Sequence, residues 1–453
     1  MKLTIVGGGG FRVPQIIEEL AGRSAEEIQL SEVCLYDVEP DRLAVMQQVV
    51  AEMELADKPA INSTSRLDEA VTGADFIFSA MRVGGTCGRV LDEQVALHED
   101  VLGQETVGPG GYAYAFRTIP AALELARAVK LHAPEAWVIN FTNPAGIITQ
   151  AMRSVMGERV VGICDTPIGL VRRVGRALGL AEDEFSYDYV GLNHLGWLRS
   201  ISVAGQERLP ELLASDELLG EIEEARLIGF DWVRQLGMLP NEYLFYYYLN
   251  REAVAQLRSE GQTRGQFLDE QQGDFYRRAQ EEPYAAAKLW QEAHDEREAT
   301  YMAEARDIAG EGDRHQEDLE GGGYQRVAVD LMVALSAGQV TRMILGVANQ
   351  GPTWGPLVPA LSAEAVVEVP CLVDADGIHP QAVAPLTGAE LGLVVQVKAC
   401  EELVIRAATE RDPQLGWQAI ASHPLVDSVE VARRIFAQYR RQIPEVGAVF
   451  AGR

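Results

Sequence analysis

MKLTIVGGGGF, residues Met1 to Phe11, decides the fold. Leu3 to Val6 is a short apolar run that stops at four consecutive glycines, Gly7 to Gly10. Beyond them Val13, Ile16, Ile17 and Leu20 recur at helical spacing. In a strand–glycine turn–helix unit the backbone can approach a pyrophosphate, and the helix N-terminus faces its charge. The next strand, Glu32 to Tyr36, ends at Asp37. A carboxylate there can accept hydrogen bonds from both hydroxyls of a ribose and repels an added phosphate. The unit therefore reads as a site for NAD, with Gly7, Gly8, Gly9, Gly10, Phe11, Asp37 and Arg42 as candidate contacts. Arg12 occupies the position of the third glycine of the dinucleotide fingerprint, so the turn departs from its simplest form.

Working outward, a helix is expected from about Arg42 to Met53, and strands at Phe76–Ala80, Trp137–Phe141 and Val160–Ile163. Helical stretches such as Ala121–Leu131 separate them. Strands alternating with helices imply an α/β fold with a Rossmann-type parallel sheet, as in lactate and malate dehydrogenases. After Cys164 the pattern changes. Tyr187–Val203 alternates as antiparallel strands do, Tyr284–Ala309 is helix-rich, and Gly310–Gly323 reads as a mobile loop. Val366–Val373 and Ile378–Val383 form a hairpin pattern around Asp374-Ala375-Asp376-Gly377, and roughly the last 60 residues have helical apolar spacing. The expected division is residues 1–165 as an NAD-binding domain and 166–453 as an α+β substrate and catalytic domain.

With 47% hydrophobic and 23% charged residues the chain has the composition of a soluble globular protein. Its formal charge of −28 repels phosphate backbones, which argues against nucleic acid or an anionic membrane as partner. An anionic substrate would need a locally basic pocket inside this acidic shell. Five cysteines without repeated spacing suggest no disulfide framework. With no leader pattern and no apolar run of bilayer length, the expected location is cytoplasmic.

Asn140-Phe141-Thr142-Asn143-Pro144 follows a strand at the carboxyl edge, where Asn140 and Asn143 can meet ribose, nicotinamide or a substrate hydroxyl. Cys164-Asp165 and then Asn193-His194 follow predicted strands that could converge at the seam between the halves. Cys164 and His194 are suitable divalent-metal ligands, and two protein ligands leave open positions for substrate oxygens. Without a metal, His194 would be the acid/base of a 2-hydroxyacid dehydrogenase of the lactate/malate type. A non-enzymatic NAD sensor is the third reading.

The ordered motifs GGGG, YDVEPDRL, MRVGG, GQETVGPGG, NFTNPAG, GICDTP and GLNHLGW resemble glycoside hydrolase family 4. The resemblance continues into NQGPTWGPLVPALSAEAVVEVPCLV and covers most of the chain. It implies an NAD- and manganese-dependent glycosidase, acting on 6-phospho-glucosides, in which NAD transiently oxidises the sugar at C3. A base then removes the proton at C2 and the C1 leaving group is eliminated; such enzymes stand outside the usual carboxylate-pair mechanism. It places the metal on Cys164 and His194, the base on Tyr243 (with Tyr246 and Tyr247 open), and a leaving-group acid on Asp165. Arg82, Arg89, Asn143, Asp165 and His194 would face substrate, Arg82 also the cofactor. Asp165 resembles the α-specific members, the general run of sequence the β-specific ones. Two positions depart from the pattern: Glu320 stands where Arg-Gly-Gly usually begins, and an arginine near Ala348-Asn349 is missing. These departures leave phosphorylation at C6 open. The resemblance also implies a homodimer or homotetramer.

Overall fold

The computed structural model describes residues 1–24, 26–55, 58–311, 323–352 and 355–451. Among them thirteen strands form one sheet. Six come from the N-terminal part of the chain: β1 (Lys2–Val6), β2 (Glu32–Tyr36), β3 (Ala60–Thr64), β4 (Phe76–Ser79), β5 (Trp137–Asn140) and β6 (Val160–Gly162). All pair in parallel in the order β3-β2-β1-β4-β5-β6, which puts the reversal of strand order at β1. Ligands of open α/β sheets collect at that point, beyond the carboxyl ends of the strands. Leu3, Ile5, Val33, Leu35, Ile77 and Phe78 are all buried, as strands covered by helices on both faces require.

The remaining strands are β7 (Ser186–Leu192), β8 (Leu195–Val203), β9 (Gln206–Glu207), β10 (Leu239–Pro240), β11 (Thr341–Ala348), β12 (Val366–Asp374) and β13 (Gly377–Pro380). They extend the same sheet in antiparallel fashion from β6 through β11, β12, β7 and β8 to β10. Each of two links in this path is a single residue pair: Gly162↔Gly346 joins β6 to β11, and Glu368↔Gly191 joins β12 to β7. Glycine is needed at both links. A Cβ on Gly162 would stand 2.7 Å from Thr149 Oγ1, and one on Gly191 would stand 2.2 Å from the Leu195 carbonyl oxygen.

The β-hairpin expected around residues 374–377 is present as β12–β13, and the alternation through 187–203 is the β7–β8 hairpin. The chain after Gly388 is helical in Gly388–Glu410, Pro413–Ala421, Val429–Gln442 and Pro444–Val449. Residues 312–322 of the loop expected at Gly310–Gly323, Glu320 included, lie outside the described residues. Helix Arg264–Glu281 and helix Ala286–Ala299 return over the first glycine turn. Tyr276 Oη donates to the Gly9 carbonyl (2.6 Å) and Trp290 Nε1 to the Phe11 carbonyl (2.8 Å). Phe11 packs edge-on against Phe275 at 5.6 Å. Among the described residues no helix is long and apolar enough to cross a membrane.

Gly191→Ala should lower the unfolding free energy by about 1–3 kcal/mol, because its methyl group enters occupied backbone space. Gly273→Ala, in the middle of helix Arg264–Glu281 with nothing within 4 Å of its added Cβ, should instead raise it by about 0.5–1 kcal/mol. Urea denaturation of the two variants checks both signs.

Candidate active site

The glycine turn is fixed by its backbone. Gly7 and Gly8 both donate to the Tyr36 carbonyl (2.9 and 2.7 Å), so β1 stays paired with β2 into the turn. Gly7 has φ +93°, and a Cβ there would lie 2.5 Å from the Ala80 carbonyl oxygen. The Gly9 amide donates to Asp37 Oδ2 (2.9 Å), and the Glu39 amide donates to Oδ1 (3.0 Å). Asp37 is thus held at the edge of the turn, where a ribose would meet it. Arg42 lies over the Tyr276 ring, 4.1 Å from its centroid.

From here one cavity of about 1320 Å³ runs to the seam. Gly7, Gly10, Phe11, Asp37, Arg42, Arg82, Arg89, Asn143, Cys164, Asp165, His194 and Tyr243 all line it. A single small ligand fills about 300–1,000 Å³. This cavity has room for a dinucleotide and a sugar together. Gly8 and Gly9 are absent from its wall: Gly8 packs on β2, where a Cβ would be 2.7 Å from Tyr36 N.

Asn140 corrects the expectation of a cofactor contact. It is fully buried, and its amide nitrogen donates to the Thr142 and Ala145 carbonyls and to Thr149 Oγ1. Its work is to shape the turn that presents Asn143. Asn143 does face the cavity, and its Oδ1 is buried without a partner.

Cys164 and His194 reach the cavity from the two sides of the joint. Cys164 follows β6 by two residues. His194 sits in the two-residue turn between β7 and β8 with φ +62°, a left-handed backbone that is uncommon outside glycine. Its Nδ1 contacts Thr106 Oγ1 at 3.0 Å, which leaves Nε2 for another partner. Burial lowers the His194 pKa to about 3, so the ring is neutral and able to ligate. Burial, and after it the charges of Glu368 and Asp165, push the Cys164 thiol well above its ordinary value. No group of three or more His, Cys, Asp or Glu gathers around a metal position among the described residues. A thiol, a free imidazole nitrogen and the orphaned Asn143 oxygen nevertheless suit an ion that completes its shell with substrate oxygens.

Tyr243 lies flat on His194, with ring centroids 3.7 Å apart and planes 7° apart. Its hydroxyl meets Tyr301 Oη at 3.1 Å, and Tyr301 donates to Glu242 Oε1 at 2.6 Å. Burial, then the nearby Glu242, raise the Tyr243 pKa well above 10. Of the alternatives, Tyr246 also touches the cavity, whereas Tyr247 turns towards His423. Asp165 precedes helix Thr166–Ala177 without capping it, which leaves its carboxylate to the cavity.

Glu105 binds both candidate arginines: Arg82 Nη1 at 2.6 Å and Arg89 Nη1 at 2.7 Å. Arg89 also pairs with Glu93 at 2.8 Å. Glu105, Thr106, Glu242, Tyr301 and Arg297 belong to the wall but were not anticipated. Glu105 and Thr106 lie within the GQETVGPGG motif; Tyr301 and Arg297 lie in a stretch whose only sequence signal was helical.

A Rossmann-ordered sheet whose nucleotide turn shares a cavity with a cysteine, a histidine and a tyrosine defines a dinucleotide-dependent enzyme rather than a carrier. Residues 2–180 match the model of family 4 glycosyl hydrolases, and residues 189–426 match that of the family 4 glycosyl hydrolase C-terminal domain. The chain belongs to this family. It is 30% identical to maltose-6'-phosphate glucosidase of Bacillus subtilis (strain 168), over 96% of this chain and 94% of the relative. Among solved structures it resembles 6-phospho-alpha-glucosidase from gut microorganisms, 27% identical with TM-score 0.77 over 97% of both chains, in complex with NAD and glucose-6-phosphate. A second structure of a 6-phospho-alpha-glucosidase from gut microorganisms, with NAD and Mn2+, is 25% identical with TM-score 0.78 over 97% of both chains. The fold is also that of Thermotoga maritima 6-phospho-beta glucosidase (23% identical, TM-score 0.81, 98% of both chains).

Burial works to raise the Glu105 carboxyl, but Arg82 and Arg89 outweigh it and bring the pKa down to about 2. This pairing therefore stabilises the fold above the unfolded-state value of about 4.3 and fades as pH falls from there towards 2. Glu105→Gln should cost about 3 kcal/mol at neutral pH, and the difference from wild type should shrink below about pH 4. Denaturation midpoints across the pH range check this.

Proposed function

We propose that the chain is an NAD- and divalent-metal-dependent 6-phospho-glucosidase that hydrolyses the O-glycosidic bond of phosphorylated glucosides. The observation that carries the reading is one unbroken cavity wall from Gly7, Gly10 and Asp37 to Asn143, Cys164, His194 and Tyr243. A dinucleotide along the glycine turn would end its reactive ring beside any sugar that reaches Cys164. The names of the relatives support the phosphorylated substrate, and the gut-microbial structures support the NAD and Mn2+ pairing. When bound, NAD supplies a reversible hydride acceptor, and a divalent ion held by Cys164 and His194 supplies a Lewis acid at the sugar oxygens.

The rest falls to side chains of this chain. Tyr243 is the base for the C2 proton. Its ring is pinned on His194, and its hydroxyl proton is oriented towards Tyr301, whose own proton goes to Glu242. A phenol raised this far above 10 needs positive charge beside it to give up its proton, and the His194–Cys164 pair is where that charge would sit. Asp165 is the acid that protonates the leaving oxygen. Asn143, with its unpartnered Oδ1, would accept from a sugar hydroxyl. Thr106 fixes the His194 ring so that Nε2 points to the ligand.

With NAD, Mn2+ and reductant, nitrophenyl 6-phospho-glucosides of both anomers should identify one that is cleaved. Cleavage should stop with a chelator and leave no NADH behind. Steady NADH production from 2-hydroxyacids, indifferent to chelator, would contradict the reading. Tyr243→Phe should reduce kcat by about 10²–10⁴-fold while NAD binding persists.

A further inference from the structure

Not every arginine of the cavity wall is held in an ion pair by a carboxylate. Arg82 and Arg89 share Glu105, and Arg173 is paired with Glu224. Arg12 and Arg297 line the same cavity, and neither forms an ion pair among the described residues. Glu298, also at the wall, acts on both through its charge. Arg12 leaves the glycine turn and lies against two aromatic rings, its Cζ 4.5 Å from the Tyr324 centroid and 4.8 Å from that of Phe141. Those rings stack on each other at 4.4 Å, which gives the guanidinium a rigid bed. Arg297 approaches from the covering helix, its Cζ 5.8 Å from the Phe11 centroid, and its carbonyl accepts from Arg264 Nη2 at 2.8 Å. Burial, followed by the charge of Arg12, lowers the Arg297 pKa to about 9. Two like charges on one buried wall are costly unless an anion comes near them.

We infer that Arg12 and Arg297 form a clamp for the phosphoryl group of the substrate. They would supply the two cations that this chain lacks at Glu320 and near Asn349. Asn349 cannot serve: it is fully buried, and its amide donates to the carbonyls of Val358, Leu361 and Ser362. The inference rests on the phosphorylated-glucoside reading above. The pyrophosphate of the dinucleotide offers the same chemistry from a second source. The surroundings favour the sugar: Phe141, one of the two rings under Arg12, lies two residues before Asn143 of the cavity wall, and the charge of Asp165 acts on Arg12.

The test uses the enzyme loaded with NAD and Mn2+ and the variants Arg12→Gln, Arg297→Gln and Arg297→Lys. Four quantities are read: KM for the phosphorylated glucoside, KM for the same glucoside without phosphate, inhibition by inorganic phosphate, and the NAD dissociation constant. Each Gln variant should raise the KM for the phosphorylated glucoside about 10- to 100-fold and weaken phosphate inhibition in parallel. NAD affinity should stay within about twofold, and Arg297→Lys should recover part of the loss. A loss of NAD affinity with the sugar KM unmoved would assign the pair to the pyrophosphate and overturn the inference. No change in any of the four would overturn it as well. If wild type cleaves the unphosphorylated glucoside equally well, the substrate reading fails, and the phosphate inhibition alone decides the clamp.

Discussion

Gly162 and Gly346 pass each other at the one residue pair where the parallel half of the sheet meets the antiparallel half. A Cβ on Gly346 would lie 3.2 Å from Gly162 Cα, so a side chain there presses directly on the joint. The second narrow link, Glu368 with Gly191, lies two strands away. The site depends on these two contacts. Cys164 leaves the sheet two residues beyond the first, and His194 turns three residues beyond the second. Asn193 donates to Glu368 Oε1 at 2.9 Å and locks the histidine turn to the joint. The two side chains are thus held by close backbone contact, which tolerates little movement.

The charge distribution follows from the same geometry. A chain with a net charge of −28 builds, inside its own wall, a cavity edged by Arg12, Arg42, Arg82, Arg89, Arg264 and Arg297. Glu105 divides this set. It neutralises Arg82 and Arg89 and leaves them as a rigid frame that holds the neighbouring Thr106 against His194. Arg12 and Arg297 form no ion pair among the described residues and line the cavity, where a substrate can still reach them. An acidic exterior with a basic interior keeps the protein dispersed and still attracts a small anion.

Much of this was legible in the chain. Strand, glycine run and Asp37 fixed the nucleotide half, because few sequences place four glycines between a β-run and an amphipathic helix. That Cys164, His194 and Tyr243 meet at one cavity was legible through motif order. Asn140 was expected at the cofactor because its neighbours line the cavity; only the three-dimensional turn reveals that its amide is consumed internally. Tyr301, Glu242 and Arg297 were not legible at all. Arg297 and Tyr301 come from, and just beyond, a helix that crosses back over the glycine turn, Glu242 from the short turn that holds Tyr243, and no periodicity records which residue of a returning helix meets a distant ring. The third-glycine position was noticed as an irregularity, and the structure gives it a physical sense, since Arg12 turns away from the turn and onto Tyr324 and Phe141.

The central claim is that dinucleotide and sugar react together in one cavity, with Tyr243 taking a proton from C2. Hydrolysis in D2O followed by NMR of the released sugar tests it most directly. The account predicts deuterium at C2 of the product, introduced when the base returns a solvent-exchanged proton. Product formed at full rate with only protium at C2 would mean direct displacement at C1 and would contradict it.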